Sequence, residues 1–208
     1  MFLKETIDTS ENRINLAIKF IINIIKLMID GIILAGGKST RMGTNKLLLE
    51  YKGHPLIWYT IQAMKPHVDR IIIVTGKYDK DIRNALKDEK VTFVYNSNYE
   101  KGMFSSVQAG VREAKGDFFL IPGDCPFIRS STYAALLFGK GDIRVPQYHG
   151  EDGHPIYINQ KYKEEILSYG LDINLKMFRD SKNYEIISVE DENIVMNLNN
   201  ILDFNNLR

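Results

Sequence analysis

The sequence predicts an α/β fold, a three-layer α/β/α arrangement about a mostly parallel sheet with antiparallel additions in its C-terminal part. Three observations predict it. Short, nearly continuous apolar runs recur at GIILA (31–35), RIIIVTG (70–76), VTFVY (91–95) and DFFLIPGD (117–124); strands without alternation are covered on both faces. Helical segments separate these runs, as parallel crossovers require. After residue 140 the pattern changes to strands joined by a tight turn. The composition agrees: 208 residues with 44% hydrophobic and 25% charged residues describe a globular chain of one domain, neither disordered nor membrane-spanning.

Taken in order, the first segment is set apart. In residues 11–28, Ile14, Ile18, Ile21, Ile25 and Met28 form one stripe of an amphipathic helix, with Asn15, Lys19, Asn23 and Lys26 opposite. Lys19 and Lys26 interrupt the apolar run short of the roughly 20 residues of a membrane span, and no signal-peptide cleavage pattern is present. We read residues 1–27 as an extension to a domain of residues 28–208. It packs on that domain or on a second subunit, attaches to a membrane surface, or precedes the natural start; a docking or self-association helix belongs to the first reading. Strand 31–35 empties into a polar loop. Pro55 opens a helix over 55–64, strand 70–76 follows, and Asp79 caps the next helix. Strand 91–95 leads to a helix over 105–114 and to strand 117–124. Beyond these come strands 142–148 and 154–160 about the turn HGEDG, a helix near 161–169, strands near 184–188 and 194–198, and a short terminal helix.

Charge and cysteine content narrow the function. With 27 basic and 26 acidic side chains the formal charge is +1, which gives no support for nucleic-acid binding. The one cysteine, Cys125, excludes an intrachain disulfide and a cysteine zinc site and suits a reducing, cytoplasmic compartment.

In parallel sheets, ligands bind beyond the carboxyl ends of the strands. There, Leu34-Ala35-Gly36-Gly37-Lys38-Ser39-Thr40-Arg41-Met42-Gly43 with Lys46 joins two glycines to three cations. Consecutive glycine N–H groups form an anion nest, and a guanidinium holds phosphate oxygens bidentately. This is not a Walker A loop, since five residues rather than four separate Gly31 from Gly37 and Gly31 heads a strand. G-x-G-x-x-G is also absent. A second feature, Ile121-Pro122-Gly123-Asp124-Cys125-Pro126, mounts a carboxylate at the end of a buried strand. Asp124 there suits Mg²⁺ or, alternatively, bonds the backbone of its own turn. Cys125 reads as a turn residue, not a nucleophile.

At these residues the chain resembles the nucleotidyltransferase superfamily, whose loop reads L-x-x-G-x-G/S-x-R-M followed by Lys, and within it the molybdopterin nucleotidyltransferases. The resemblance implies a Rossmann-like nucleotidyltransferase fold and a loop, Leu34 to Thr40, that cradles a triphosphate. Arg41 and Lys46 then neutralise phosphate charge, Lys46 at the α-phosphorus, and Asp124 holds Mg²⁺. The family's second metal position, usually acidic, falls on Asn197 and Asn199. Lys101-Gly102-Met103-Phe104-Ser105-Ser106 resembles the G-M-x-S-S segment that contacts base and ribose, so Gly102, Met103, Ser105 and Ser106 join Thr75 and Gly76 in the nucleotide site. Ser105 and Ser106 also suit a helix cap.

Gly153-His154-Pro155 resembles an acceptor segment, and Asp172 and Lys176 weakly match another, so His154, Asp172 and Lys176 are expected at the acceptor. His54, His67 and His149 have no ligand spacing. The expected reaction moves a nucleoside monophosphate from an NTP to molybdopterin and releases pyrophosphate. Leu34-Ala35-Gly36-Gly37 and the two asparagines look guanylyl-like. Asn45-Lys46-Leu47-Leu48-Leu49, GMFSS and Gly153-His154-Pro155 look cytidylyl-like, and these favour CTP over GTP. The alternatives are a sugar- or polyol-phosphate nucleotidyltransferase, or a non-catalytic nucleotide-binding partner docked on a molybdoenzyme or chaperone.

Overall fold

A computed structural model of the chain describes residues 28–37 and 45–196. The expected amphipathic helix, loop residues Lys38, Ser39, Thr40 and Arg41, the pair Asn197 and Asn199, and the terminal helix lie outside the described residues.

Among the described residues eight strands form one sheet in the order β10-β7-β9-β6-β1-β4-β5, with β8 paired to β7. The four central strands are β1 (Ile29–Ala35), β4 (Arg70–Thr75), β5 (Thr92–Tyr95) and β6 (Asp117–Pro122). All pair in parallel, β1 lying between β4 and β6. Their side chains divide strictly by parity. Ile33, Ile73, Phe119 and Ile121 enter one core with Ile57 and Ile61 of α1 (Leu56–Met64) and Tyr133 and Leu136 of α4 (Ser130–Phe138). Ile32, Ile72, Val74, Phe118 and Leu120 enter the other, with Val107 and Val111 of α3 (Met103–Glu113), Ile166 of α5 (Lys163–Ser168) and Phe178 of α6 (Leu175–Asp180). Burial on both faces is what an unalternating apolar strand demands, and the three-layer expectation is met.

The C-terminal part departs from the expected pattern in detail. Strand β7 (Ile143–Tyr148) runs with the central strands, and β10 (Glu185–Ser188) is parallel to it. Only β9 (Ile156–Ile158), inserted between β6 and β7, and the two-residue β8 (Glu151–Asp152) run the other way. No strand forms at 194–196: Glu192–Ile194 is a 3₁₀ turn capped by Asp191. Helices α4 and α6 and the small hairpin of β2 (Glu50–Tyr51) and β3 (His54–Pro55) carry no sequence signal strong enough to predict them.

Two expected caps also differ. Pro55 precedes α1 as its cap residue. Asp79 is the first residue of α2 (Asp79–Ala85), where its carboxylate accepts from the Thr75 hydroxyl and from Arg83 Nε at 2.8 Å. Among the described residues no helix is long and apolar enough to cross a membrane.

Candidate active site

The carboxyl ends of β1, β4, β5 and β6 meet at one edge, and their closing turns build the site. Leu34 and Ala35, the buried last residues of β1, lie between Val74 and Thr75 of β4 and Pro122 of β6. The Leu34 carbonyl accepts from Gly123 N at 2.9 Å, tying the glycine turn to the turn that carries Asp124. A β-carbon on Gly36 would stand 2.7 Å from Ser106 Oγ, so only glycine permits this approach of the loop to α3.

Asn96, just after β5, organises this side. Its backbone N–H donates to Thr75 O at 3.0 Å, and its Nδ2 donates to Ser105 Oγ and Ser106 Oγ at 2.8 and 3.0 Å. The Ser105 hydroxyl contacts the carbonyls of Asn98 and Gly102, both at 2.8 Å. Both serines therefore lie buried inside α3 and do not cap it; the cap residue is Gly102, at φ 106°. Gly76 packs against Tyr99 and the Gly36 carbonyl, and Met103 is exposed at the mouth. Gly36, Thr75, Gly76, Ser105 and Ser106 thus share one cradle. Asn96 was missed by sequence reasoning. Its signal is an amide placed at the ligand end of a parallel strand.

Opposite the cradle, Lys46 Nζ lies 2.5 Å from Asp124 Oδ2, each side chain about one-fifth exposed. Asn45 fixes the lysine, its Oδ1 accepting from Leu47 N at 3.2 Å to cap the turn Lys46–Leu48. Cys125 is buried, and burial together with the Asp124 charge pushes its thiol up, so it carries no thiolate near neutral pH.

On the far side of β6, His154 follows Gly153 in the turn before β9. Burial pushes its pKa down to about 4, against the charge of Asp124, which raises it, and with that of Arg179, which lowers it. Its Nδ1 is buried with no hydrogen-bond partner. Asp172 and Lys176 are placed differently. Asp172 is exposed, and Lys176, 75% exposed, pairs with Asp180 at 2.7 Å on its own helix. The buried cation there is Arg179, three residues beyond Lys176, which reaches Asp152 at 3.4 Å and stacks 5.0 Å from the Tyr184 ring. Helical spacing from Lys176 was its only sequence signal.

The residues present fit a divalent cation. Asp124 offers hard oxygens at an open strand end, as suits an ion that retains water and substrate phosphate, and His154 Nδ1 is an unused donor. Among the described residues no three His, Cys, Asp or Glu side chains converge.

A sequence profile described as the MobA-like NTP transferase domain matches residues 31–185. The chain belongs to this family. A MobA-like NTP transferase of this length matches the molybdenum cofactor cytidylyltransferase of Escherichia coli K12 at 25% identity, over 85% of this chain and 93% of that protein. It matches the molybdenum cofactor guanylyltransferase of Shewanella putrefaciens at 28%, over 84% and 93%. Among solved structures, a nucleotidyl transferase from Methanothermobacter superposes with a TM-score of 0.76 at 24% identity, covering 87% of this chain and 96% of that one. A Mycobacterium tuberculosis H37Rv protein superposes with a TM-score of 0.79 at 22% identity, over 87% and 97%. At these identities the superpositions speak for the fold, which is that of the nucleotidyltransferases.

Proposed function

We propose that this MobA-like transferase moves a nucleoside monophosphate from an NTP, CTP in preference to GTP, to the phosphate of molybdopterin, with release of pyrophosphate. The carrying observation is the Lys46–Asp124 pair, held 2.5 Å apart at the strand ends that face the glycine turn. An acceptor phosphate oxygen attacks the α-phosphorus in line. The new P–O bond forms as the bond to the bridging oxygen breaks, and pyrophosphate leaves with that electron pair. The attacking oxygen is already ionised, so no general base is needed and catalysis rests on alignment and charge stabilisation.

Gly36 and Gly37 present backbone N–H groups to the phosphates, and Arg41 and Lys46 neutralise them. Gly76, Gly102, Met103, Ser105 and Ser106 hold base and ribose. Asp124, with Asn197 and Asn199, would hold Mg²⁺, which would supply Lewis-acid stabilisation of charge on the phosphates. His154 faces the acceptor, with Asp172 and Lys176 further out. The catalytic domain spans 28–208, and residues 1–27 form a docking or self-association element.

The test is pyrophosphate release with each NTP and Mg²⁺, with and without molybdopterin. CTP- and molybdopterin-dependent release that disappears in Asp124→Ala is expected. Release dependent on a sugar phosphate, or unchanged in Asp124→Ala, overturns the reading.

A further inference from the structure

Three features converge on His154. First, β9 pairs antiparallel with β6 in the register Phe118↔Ile158, Phe119↔Tyr157 and Leu120↔Ile156. That register ends at Leu120↔Ile156, so the turn Gly153-His154-Pro155 that precedes β9 lies toward the carboxyl end of β6, the end from which Asp124 projects.

Second, the backbone here is pinned from both sides. Gly153 N donates to Pro146 O and His154 N to Ile194 O, each at 2.9 Å. A β-carbon on Gly153 would lie 2.3 Å from Ile194 O, so the turn is pressed onto the segment that leads, three residues on, to Asn197. An imidazole mounted this way is preorganised.

Third, its Nδ1 is buried and has no partner. Leaving such an atom unsatisfied is costly, so it asks for a ligand. The nearby cation does not satisfy it, because the Arg179 guanidinium is engaged by Asp152 and Asp180.

We infer that His154, through Nδ1, donates to the divalent metal held by Asp124, making the centre a mixed nitrogen–oxygen site. The inference rests on the nucleotidyl-transfer reading above, which supplies the metal. Positions not taken by protein donors go to water and phosphate oxygens. Lys46 Nζ, 2.5 Å from Asp124 Oδ2, stands beside this centre. A neutral imidazole nitrogen favours first-row transition ions over Mg²⁺, so the site binds Mn²⁺ ahead of Mg²⁺.

The experiment is pulsed electron paramagnetic resonance on the full chain loaded with Mn²⁺ and inorganic pyrophosphate, a mixture free of base nitrogens. Wild type is expected to show ¹⁴N modulation from a bound imidazole, converted to the ¹⁵N pattern when the protein is labelled with ¹⁵N-histidine. That control needs no substitution and cannot fail through misfolding. The modulation disappears in His154→Gln and persists in His149→Gln. His154→Gln also weakens Mn²⁺ binding about tenfold or more and Mg²⁺ binding less, so the preference for Mn²⁺ shrinks.

Mn²⁺ bound without histidine modulation, or modulation that survives His154→Gln, overturns the assignment. If the modulation is absent but Asp124→Asn still abolishes Mn²⁺ binding, the nucleotidyl-transfer reading stands and His154 serves the acceptor alone. If Asp124→Asn leaves Mn²⁺ binding intact, the metal position in that reading fails with it.

Discussion

At the residue scale the site depends on two close approaches. Lys46 and Asp124 come from different turns and meet at 2.5 Å because Asn45 caps one turn and the Leu34 carbonyl anchors the other. On the proposed reading, Lys46 acts chiefly on the charge that builds at the α-phosphorus during transfer. Lys46→Ala should therefore lower kcat by about 10²–10³-fold with a smaller change in KM for the nucleotide, measured by steady-state pyrophosphate release. A fall in nucleotide affinity with kcat preserved would instead make Lys46 a ground-state binding group.

The second approach is Gly36 against Ser106. Gly36→Ala forces the two apart and should cost about 1–3 kcal/mol of stability, read from urea unfolding. Adding Ser106→Ala removes the obstructing hydroxyl and should recover most of it. A double variant no more stable than the single one would place the strain elsewhere in the loop.

At the scale of elements, the helices on one face are joined by a titratable contact. His67, in the turn Lys65–His67 after α1, bonds Ser130 Oγ at the start of α4 at 2.7 Å and stacks on Tyr133 at 6.0 Å. Burial lowers its pKa, and hydrogen bonding to the Ser130 backbone opposes the shift only in part. Where the folded value is lowered, the unfolded chain takes up the proton first. Stability from His67 is thus complete above its ordinary value of about 6.5 and declines as pH falls from there to the folded value. His67→Asn should flatten this part of the curve, seen in urea midpoints between pH 7.5 and 5.5. Equal slopes in both proteins would remove His67 from the account.

These contacts join elements of different legibility. The sheet strands and α1 and α3 were readable because their apolar periods agree with their burial. Helix α4 was not, because SSTYAALLF is apolar nearly all round and starts without a side-chain cap. Helix α6 is six residues long, too short for periodicity to register, and is fixed by Asn174, whose Oδ1 accepts from Met177 N at 2.9 Å.

At the scale of the molecule, the two ends of the sheet do different work. The carboxyl end carries the glycines, Lys46 and Asp124. The amino end carries buried acids that clamp strands to their crossovers. Asp30, fully buried at the start of β1, accepts from Arg70 Nε and Nη2 at 2.8 and 3.2 Å and from Lys115 N at 2.6 Å. Asp117, at the start of β6, takes the Tyr157 hydroxyl, Asn159 Nδ2 at 3.3 Å and Gln160 N at 2.9 Å.

Removing one partner of such a buried pair leaves the other uncompensated. Asp30→Ala should cost about 3–5 kcal/mol by chemical denaturation, while the folded fraction keeps its KM for the nucleotide. A raised KM would couple the two ends and contradict this division of roles.

The sequence by itself determined the three-layer fold, the glycine turn with Lys46, and the carboxylate Asp124, because each is a local pattern: an apolar run, a double glycine, an acid between glycine and a Cys-Pro turn. The tertiary structure alone decided what lies across strand boundaries. It turned Ser105 and Ser106 inward under Asn96, set Arg179 rather than Lys176 in the buried position on α6, and inserted β9 backwards between β6 and β7. That insertion puts His154 at the same strand end as Asp124. Register and strand order bring such residues together across about 30 positions of chain, and no spacing rule along one chain encodes them.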